Sequence, residues 1–276
     1  MNRIEARFNE LRKTGRKGLV GYLTAGDPNP ADSMKNIRAA VGAGLDVLEL
    51  GVPFSDPTAD GPVIQAASRR ALEKGMNVRK VLGMVEELRR DSQVPIVLFG
   101  YANPFFRYGF EKLCADAARA GADGFLIVDM PYEESAEVRL FMKKHDLALI
   151  PLIAPTTPPA RAAMILRDAK GFVYYIMVTG VTGARAAVAE DVSSNLKRLR
   201  ACTDPPVAVG FGVSNAAQAK AAAESADAVV VGSAIVRLVH EHHGDPGAAA
   251  ALVRELANAL RDAGAPRPGS GPKPEA

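Results

Sequence analysis

The chain predicts an α/β fold, a closed (β/α)8 TIM barrel with an extra N-terminal helix, on three observations. Short apolar runs recur eight times along 276 residues. They lack the apolar–polar alternation of half-exposed strands, as fits strands covered on both faces of a parallel sheet. A helix-like pattern follows each run, so the crossovers are right-handed, and eight such units in about 250 residues close into a barrel. A doubly wound open sheet is the competing arrangement. No G-x-G-x-x-G follows the first run, which removes the main support for a dinucleotide fold.

The elements follow in order. Residues 3–14 read as an amphipathic helix with Ile4, Phe8 and Leu11 on one side, suited to plug the barrel bottom. The apolar runs are GLVGYLT (18–24), DVLELG (46–51), PIVLFGY (95–101), GFLIV (124–128), LALIPLI (147–153), GFVYYIMV (171–178), PVAVGFG (206–212) and DAVVVG (227–232). Between them, Met34, Ile37, Ala40 and Val41 share one helical face, and Val78, Val81, Leu82, Val85 and Leu88 share another. Cys114 falls on an apolar stripe with Phe110, Leu113 and Ala117, which marks it for core packing. Gly44, Gly121 and Gly264 follow helical patterns as C-caps. Residues 1–264 read as a single barrel domain. The Pro/Gly-rich polar tail 265–276 reads as disordered.

Composition bounds the function. Apolar residues make up 48% and charged residues 24%, with a net charge of +3. Basic residues are scattered among acids, which argues against a nucleic-acid partner. The N-terminus lacks a signal-peptide pattern, and no apolar stretch of about 20 residues could span a bilayer. Two cysteines, Cys114 and Cys202, form no framework, so a reduced cytoplasmic setting is expected. Three of the four histidines cluster in HEHHG (240–244). That spacing matches no familiar metal-ligand pattern and suits a helix terminus, so no metal is assigned.

Chemistry in such a barrel gathers at the C-terminal strand ends and the loops after them. Glu49 lies near the end of strand 2, Asp60 in the loop after it, and Asp129 at the end of strand 4. Thr179 to Gly183, Gly210 to Ser214, and Gly232 with Ser233 follow strands 6, 7 and 8. The last two groups each run from Gly to Ser before a helix. Backbone N–H groups and a helix N-terminus would receive an anion there, with Ser214 and Ser233 donating hydroxyl bonds or capping. Plain turns are the alternative. TGVTGARAA reads as the start of a loop able to fold over a ligand. Glu49, set among Leu48, Leu50 and Val52, should be partly desolvated and its pKa raised, which suits proton transfer near neutral pH. The alternative is a structural Glu paired with a cation. Asp60 in ADGP could equally be a turn former. Asp56 and Asp129 read more readily as a loop cap and a strand-end turn.

These residues resemble the tryptophan synthase alpha subunit family along almost the whole chain. LELGVPFSDPTADGPVIQAASRRAL is the most specific part. GYANPFFRYG, IVDMPYEES, PLIAPTTPP, YYIMVTGVTGAR and VGFGVSN follow in the expected order. The resemblance implies a carbon–carbon lyase that splits indole-3-glycerol phosphate into indole and glyceraldehyde 3-phosphate. It implies that Glu49 shuttles protons and that Asp60 pairs with the indole N–H. Tyr174 would lie by the glycerol part, and Gly183, Gly212, Gly232 and Ser233 at the phosphate. Phe211 would lie beside the indole, Thr182 would bond the Asp60 position on closure, and Tyr22, Phe99, Tyr101 and Leu126 would complete the pocket.

A beta subunit that uses pyridoxal phosphate is the implied partner in an α2β2 complex, touched by Pro53, Phe54 and Asp56. No cofactor is implied for this chain. Two departures concern pocket detail. Met177 stands where many relatives carry a small polar residue, and Tyr22 stands where the best-known members carry Phe. A stand-alone lyase of the same family, or a non-catalytic phosphate-binding barrel that regulates a partner, are the other readings.

Overall fold

The computed structural model describes residues 2–176, 195, 196, 199, 203–210 and 212–263. Met177, Thr182, Gly183, Cys202, Phe211, Gly264 and the tail 265–276 lie outside them. The strands are β1 (Gly18–Thr24), β2 (Val47–Gly51), β3 (Ile96–Gly100), β4 (Gly124–Ile127), β5 (Ala148–Leu149), β6 (Leu152–Ile153), β7 (Val173–Ile176), β8 (Val207–Gly210) and β9 (Ala228–Val231). All pairings are parallel, in the order β5-β4-β3-β2-β1-β9-β8-β7-β6.

Nine strands appear where eight apolar runs were read, because the fifth run is broken at Pro151. Proline has no N–H to give to a ladder. The Ile150 N–H donates to Phe125 O on the β4 side at 2.8 Å. The Pro151 carbonyl accepts the Tyr174 N–H on the β7 side at 2.9 Å. The two edge strands of the ordered sheet are therefore consecutive pieces of one chain segment, and the ring closes through it.

The described helices are α1 (Arg3–Lys13), α2 (Pro30–Ala43), α3 (Pro62–Glu73), α4 (Val78–Arg89), α5 (Ala102–Tyr108), α6 (Phe110–Ala120), α7 (Ala136–Lys144), α8 (Pro159–Leu166), α9 (Ala216–Ala223), α10 (Ser233–Glu241) and α11 (Pro246–Ala263). Strand residues alternate between two cores, as a period of two requires. Leu19, Leu23, Leu48, Leu50, Leu98, Phe125 and Ile127 face outward onto the helices. Val20, Val47, Val97, Leu126, Ile150, Phe172, Ala208 and Val230 fill the barrel interior.

Helix α1 closes the bottom, and the sequence explains how. Ile4, Phe8 and Leu11 join the interior core directly. Asn2 caps the helix by accepting the Ile4 N–H, and Glu5 accepts the Asn2 N–H in return. Flanking that apolar stripe, Arg7 pairs with Asp46, and Arg3 with Asp123, both buried carboxylates.

Asp46 and Asp123 belong to a repeat in which an Asp just before one strand accepts an N–H at the start of the strand beside it. Asp46 takes Leu19 N at 2.7 Å, Asp123 takes Ile96 N at 2.8 Å, and Asp227 takes Val207 N at 2.9 Å. These acids tie the non-catalytic end together, so the acid preceding strand 2 has a structural task that Glu49 does not share.

Candidate active site

Glu49 sits two residues beyond Val47 on β2, so it points inward with Val47 while Leu48 and Leu50 point out to the helices. The reading that Leu48 and Leu50 desolvate it is thus corrected, since strand neighbours lie on opposite faces. Its cover comes instead from the neighbouring strands. Register pairs Tyr22, Glu49 and Val97 on β1, β2 and β3, and Phe99 with Leu126 on β3 and β4. Tyr22 and Phe99 meet edge to face at 5.1 Å between ring centroids.

Glu49 is only 1% exposed, and among the described residues its Oε1 has no hydrogen-bond partner. Burial alone pushes its pKa up to about 8. A buried acid with no cation beside it is costly to keep for stability. The structural pairing considered for Glu49 is absent among the described residues.

Asp60 lies in the loop between β2 and α3, half-buried. Desolvation raises its pKa to about 6, opposed by a hydrogen bond from the Tyr101 hydroxyl. That hydroxyl also accepts the Ala59 N–H at 3.0 Å. Burial first, and then the fields of both carboxylates, push the Tyr22 and Tyr174 phenols well above the ordinary tyrosine range. Glu49, Asp60, Tyr22, Tyr174 and Tyr101 therefore form one electrostatic group at the C-terminal rim.

Two glycines make room for the phenols. A Cβ at Gly51 would collide with the Tyr22 hydroxyl, and one at Gly210 with the Tyr174 hydroxyl. Thr24 donates to the Tyr22 hydroxyl at 3.3 Å. Sequence reading missed Gly51 and Thr24 as site residues. The only available signal was their place at the ends of strands beside a tyrosine.

The anion-binding candidates divide. Helix α10 starts at Ser233 with Gly232 as N-cap, and among the described residues no side chain caps its first N–H groups, which lie at the rim beside Tyr22. Ser233 occupies the first turn and does not cap. Helix α9 is capped by Asn215, which accepts Gln218 N at 3.0 Å, and Ser214 binds the Gln218 side chain instead. Gly212 keeps a left-handed φ of +69° with open space around it, a conformation that favours glycine. Thr182, Gly183 and Phe211 lie outside the described residues.

In the loop after β2, Pro53 is buried, Phe54 packs on Tyr101 at 5.3 Å between centroids, and Asp56 is exposed and accepts the Ser55 hydroxyl. Asp129 lies in the turn after β4 and accepts the Ala102 N–H at 2.7 Å, so it caps α5. The histidine cluster ends α10, with His242 as C-cap, and no metal-competent cluster occurs among the described residues. Cys114 is fully buried.

A parallel barrel whose mouth gathers a raised glutamic acid, a second carboxylate and an open helix N-terminus defines an enzyme of the acid–base, barrel-lyase kind. The family model for the tryptophan synthase alpha chain matches residues 8–264. The chain belongs to that family. It is 49% identical over 266 residues to the tryptophan synthase alpha chain of Geobacter sulfurreducens, covering 95% of this chain and 99% of the relative. The alpha chain of Thioalkalivibrio sulfidiphilus is 48% identical at the same coverages. Among solved structures, the Legionella pneumophila alpha subunit superposes with a TM-score of 0.88 at 37% identity, covering 95% of this chain and 99% of that one. Tryptophan synthase from Mycobacterium tuberculosis gives 0.87 at 37% identity, covering 94% and 98%. The chain is accordingly a lyase of tryptophan biosynthesis. Among the described residues no helix is long and apolar enough to cross a membrane.

Proposed function

We propose that the chain splits indole-3-glycerol phosphate into indole and glyceraldehyde 3-phosphate, with Glu49 and Asp60 as its two working acids. The observation that carries this reading is the buried, unpaired Glu49 beside a second, less perturbed carboxylate. Protonated Glu49 delivers a proton to indole C3. The bond from C3 to the adjacent side-chain carbon then breaks. Its electrons return to the ring, and the hydroxyl on that carbon gives its proton back to Glu49 as the aldehyde forms. Ionised Asp60 accepts the indole N–H and stabilises the positive charge that develops on the ring nitrogen. One acid must be protonated and the other charged, and values of about 8 and about 6 keep them so near neutral pH.

The phosphate would rest on the open N–H groups of Gly232 and Ser233 and on Gly212. Gly183 would join them, with Thr182 bonding Asp60 on closure and Phe211 beside the ring. Tyr22, Phe99 and Leu126 would hold the indole, and Tyr174 the glycerol part. The chain would need no cofactor of its own. A beta subunit carrying pyridoxal phosphate would dock on Pro53, Phe54 and Asp56 in an α2β2 assembly in the cytoplasm. Phe106 on α5, 71% exposed, adds apolar surface to that end of the barrel. Incubating the purified chain with indole-3-glycerol phosphate and detecting released indole tests the reaction. No indole, with or without beta subunit, would overturn it.

A further inference from the structure

We propose that Tyr101 is a positioning residue for Asp60, a hydroxyl clamp that accepts the Ala59 N–H, donates to the Asp60 carboxylate, and so holds the loop after β2 over the mouth. The inference rests on the reading of Asp60 given above. Tyr101 lies at the end of β3 and N-terminal to α5, on rigid barrel framework, and is buried at 3% exposure. Asp60 lies on a loop, and the residues flanking it on either side are exposed.

Among the described residues the loop's Ala59 N–H meets the framework only at the Tyr101 oxygen. One phenol can do both jobs, because its lone pairs take the amide while its proton goes to the carboxylate. The ring is itself held from the loop side by Phe54. Besides Tyr101, the described groups that act on this cluster are Tyr22 from β1, Glu49 from β2, Tyr174 from β7 and Asp129 from the turn after β4. None of these is a cation. Tyr101 is thus the donor that favours the charged form of Asp60.

The test is Tyr101→Phe, which keeps the ring and its packing. Indole release should fall about tenfold in kcat/KM, and the acid limb of the pH profile should move up by about 1 pH unit. In an Asp60→Asn background the same substitution should cost less than about twofold, because the group it serves is gone. An unmoved acid limb, or a loss as large in the Asn background as in the native one, overturns the proposal. If Asp60→Asn alone leaves turnover intact, the role of Asp60 falls first and Tyr101 falls with it. Should Tyr101→Phe not fold, a fluorinated tyrosine at position 101 serves instead. Its more acidic phenol should move the acid limb down, and an unmoved limb is again the overturning result.

Discussion

Glu49→Gln separates the cost of the buried acid from its use. The substitution keeps the volume and removes the titration. Glu49 moves from an ordinary value of 4.5 to about 8 on folding. Because the folded value lies above the unfolded one, the folded chain holds an extra proton between these limits. The associated stability is whole below pH 4.5 and is lost as pH rises toward 8.

The loss runs at about 1.4 kcal/mol per pH unit, so from about pH 5 to about pH 8 the native chain should lose roughly 4 kcal/mol that Glu49→Gln does not lose. The Gln amide adds its own unsatisfied donor, at about 1–3 kcal/mol, but that cost is independent of pH. The comparison is therefore of slopes. Urea unfolding of both chains at intervals of one pH unit reads it, with midpoints drawing together or crossing by about 1.3 M across the range at an m-value of about 3 kcal/mol/M. Parallel pH dependences would refute a desolvated Glu49. The same variant should bind substrate almost normally and lose cleavage by orders of magnitude.

Three further outcomes follow. Indole release should be bell-shaped in pH, rising through about 6 as Asp60 ionises and falling through about 8 as Glu49 loses its proton, which a kcat/KM profile checks. Ser233→Ala removes the hydroxyl at the start of α10 and leaves the backbone unchanged, so KM should rise several-fold while the melting temperature barely changes. Arg7→Met leaves the Asp46 carboxylate buried without its cation, and chemical unfolding should show a loss of roughly 2–4 kcal/mol with kcat nearly unchanged, because Asp46 lies at the opposite end of the barrel.

Much of this was legible beforehand, for identifiable reasons. The eight runs and the N-terminal helix could be read because burial on both faces leaves uninterrupted apolar residues, and because Ile4, Phe8 and Leu11 recur at helical spacing. Glu49 stood out because a carboxylate within such a run has no local explanation. The break at Pro151 was also written in the chain, although its consequence was not: one apolar run supplies both edges of the ring.

The side chains around Glu49 could not be read from its neighbours. Leu48 and Leu50 adjoin it in sequence yet face the helices, while Tyr22 and Val97 come from other strands through register. Likewise, Ser214 has the composition of a cap, but Asn215 takes the role because it is the extended residue directly before the first turn of α9, where its side chain reaches the Gln218 N–H.

By itself, then, the order of residues determined the barrel, the rim on which the acids lie and the family, since periodicity, glycine placement and motif order are local properties of a chain. Only the tertiary structure decided which way Glu49 faces, that no described group neutralises it, and that Tyr101 reaches back to Asp60. Desolvation and hydrogen bonding depend on atoms brought together from distant parts of the sequence, and folding alone assembles them.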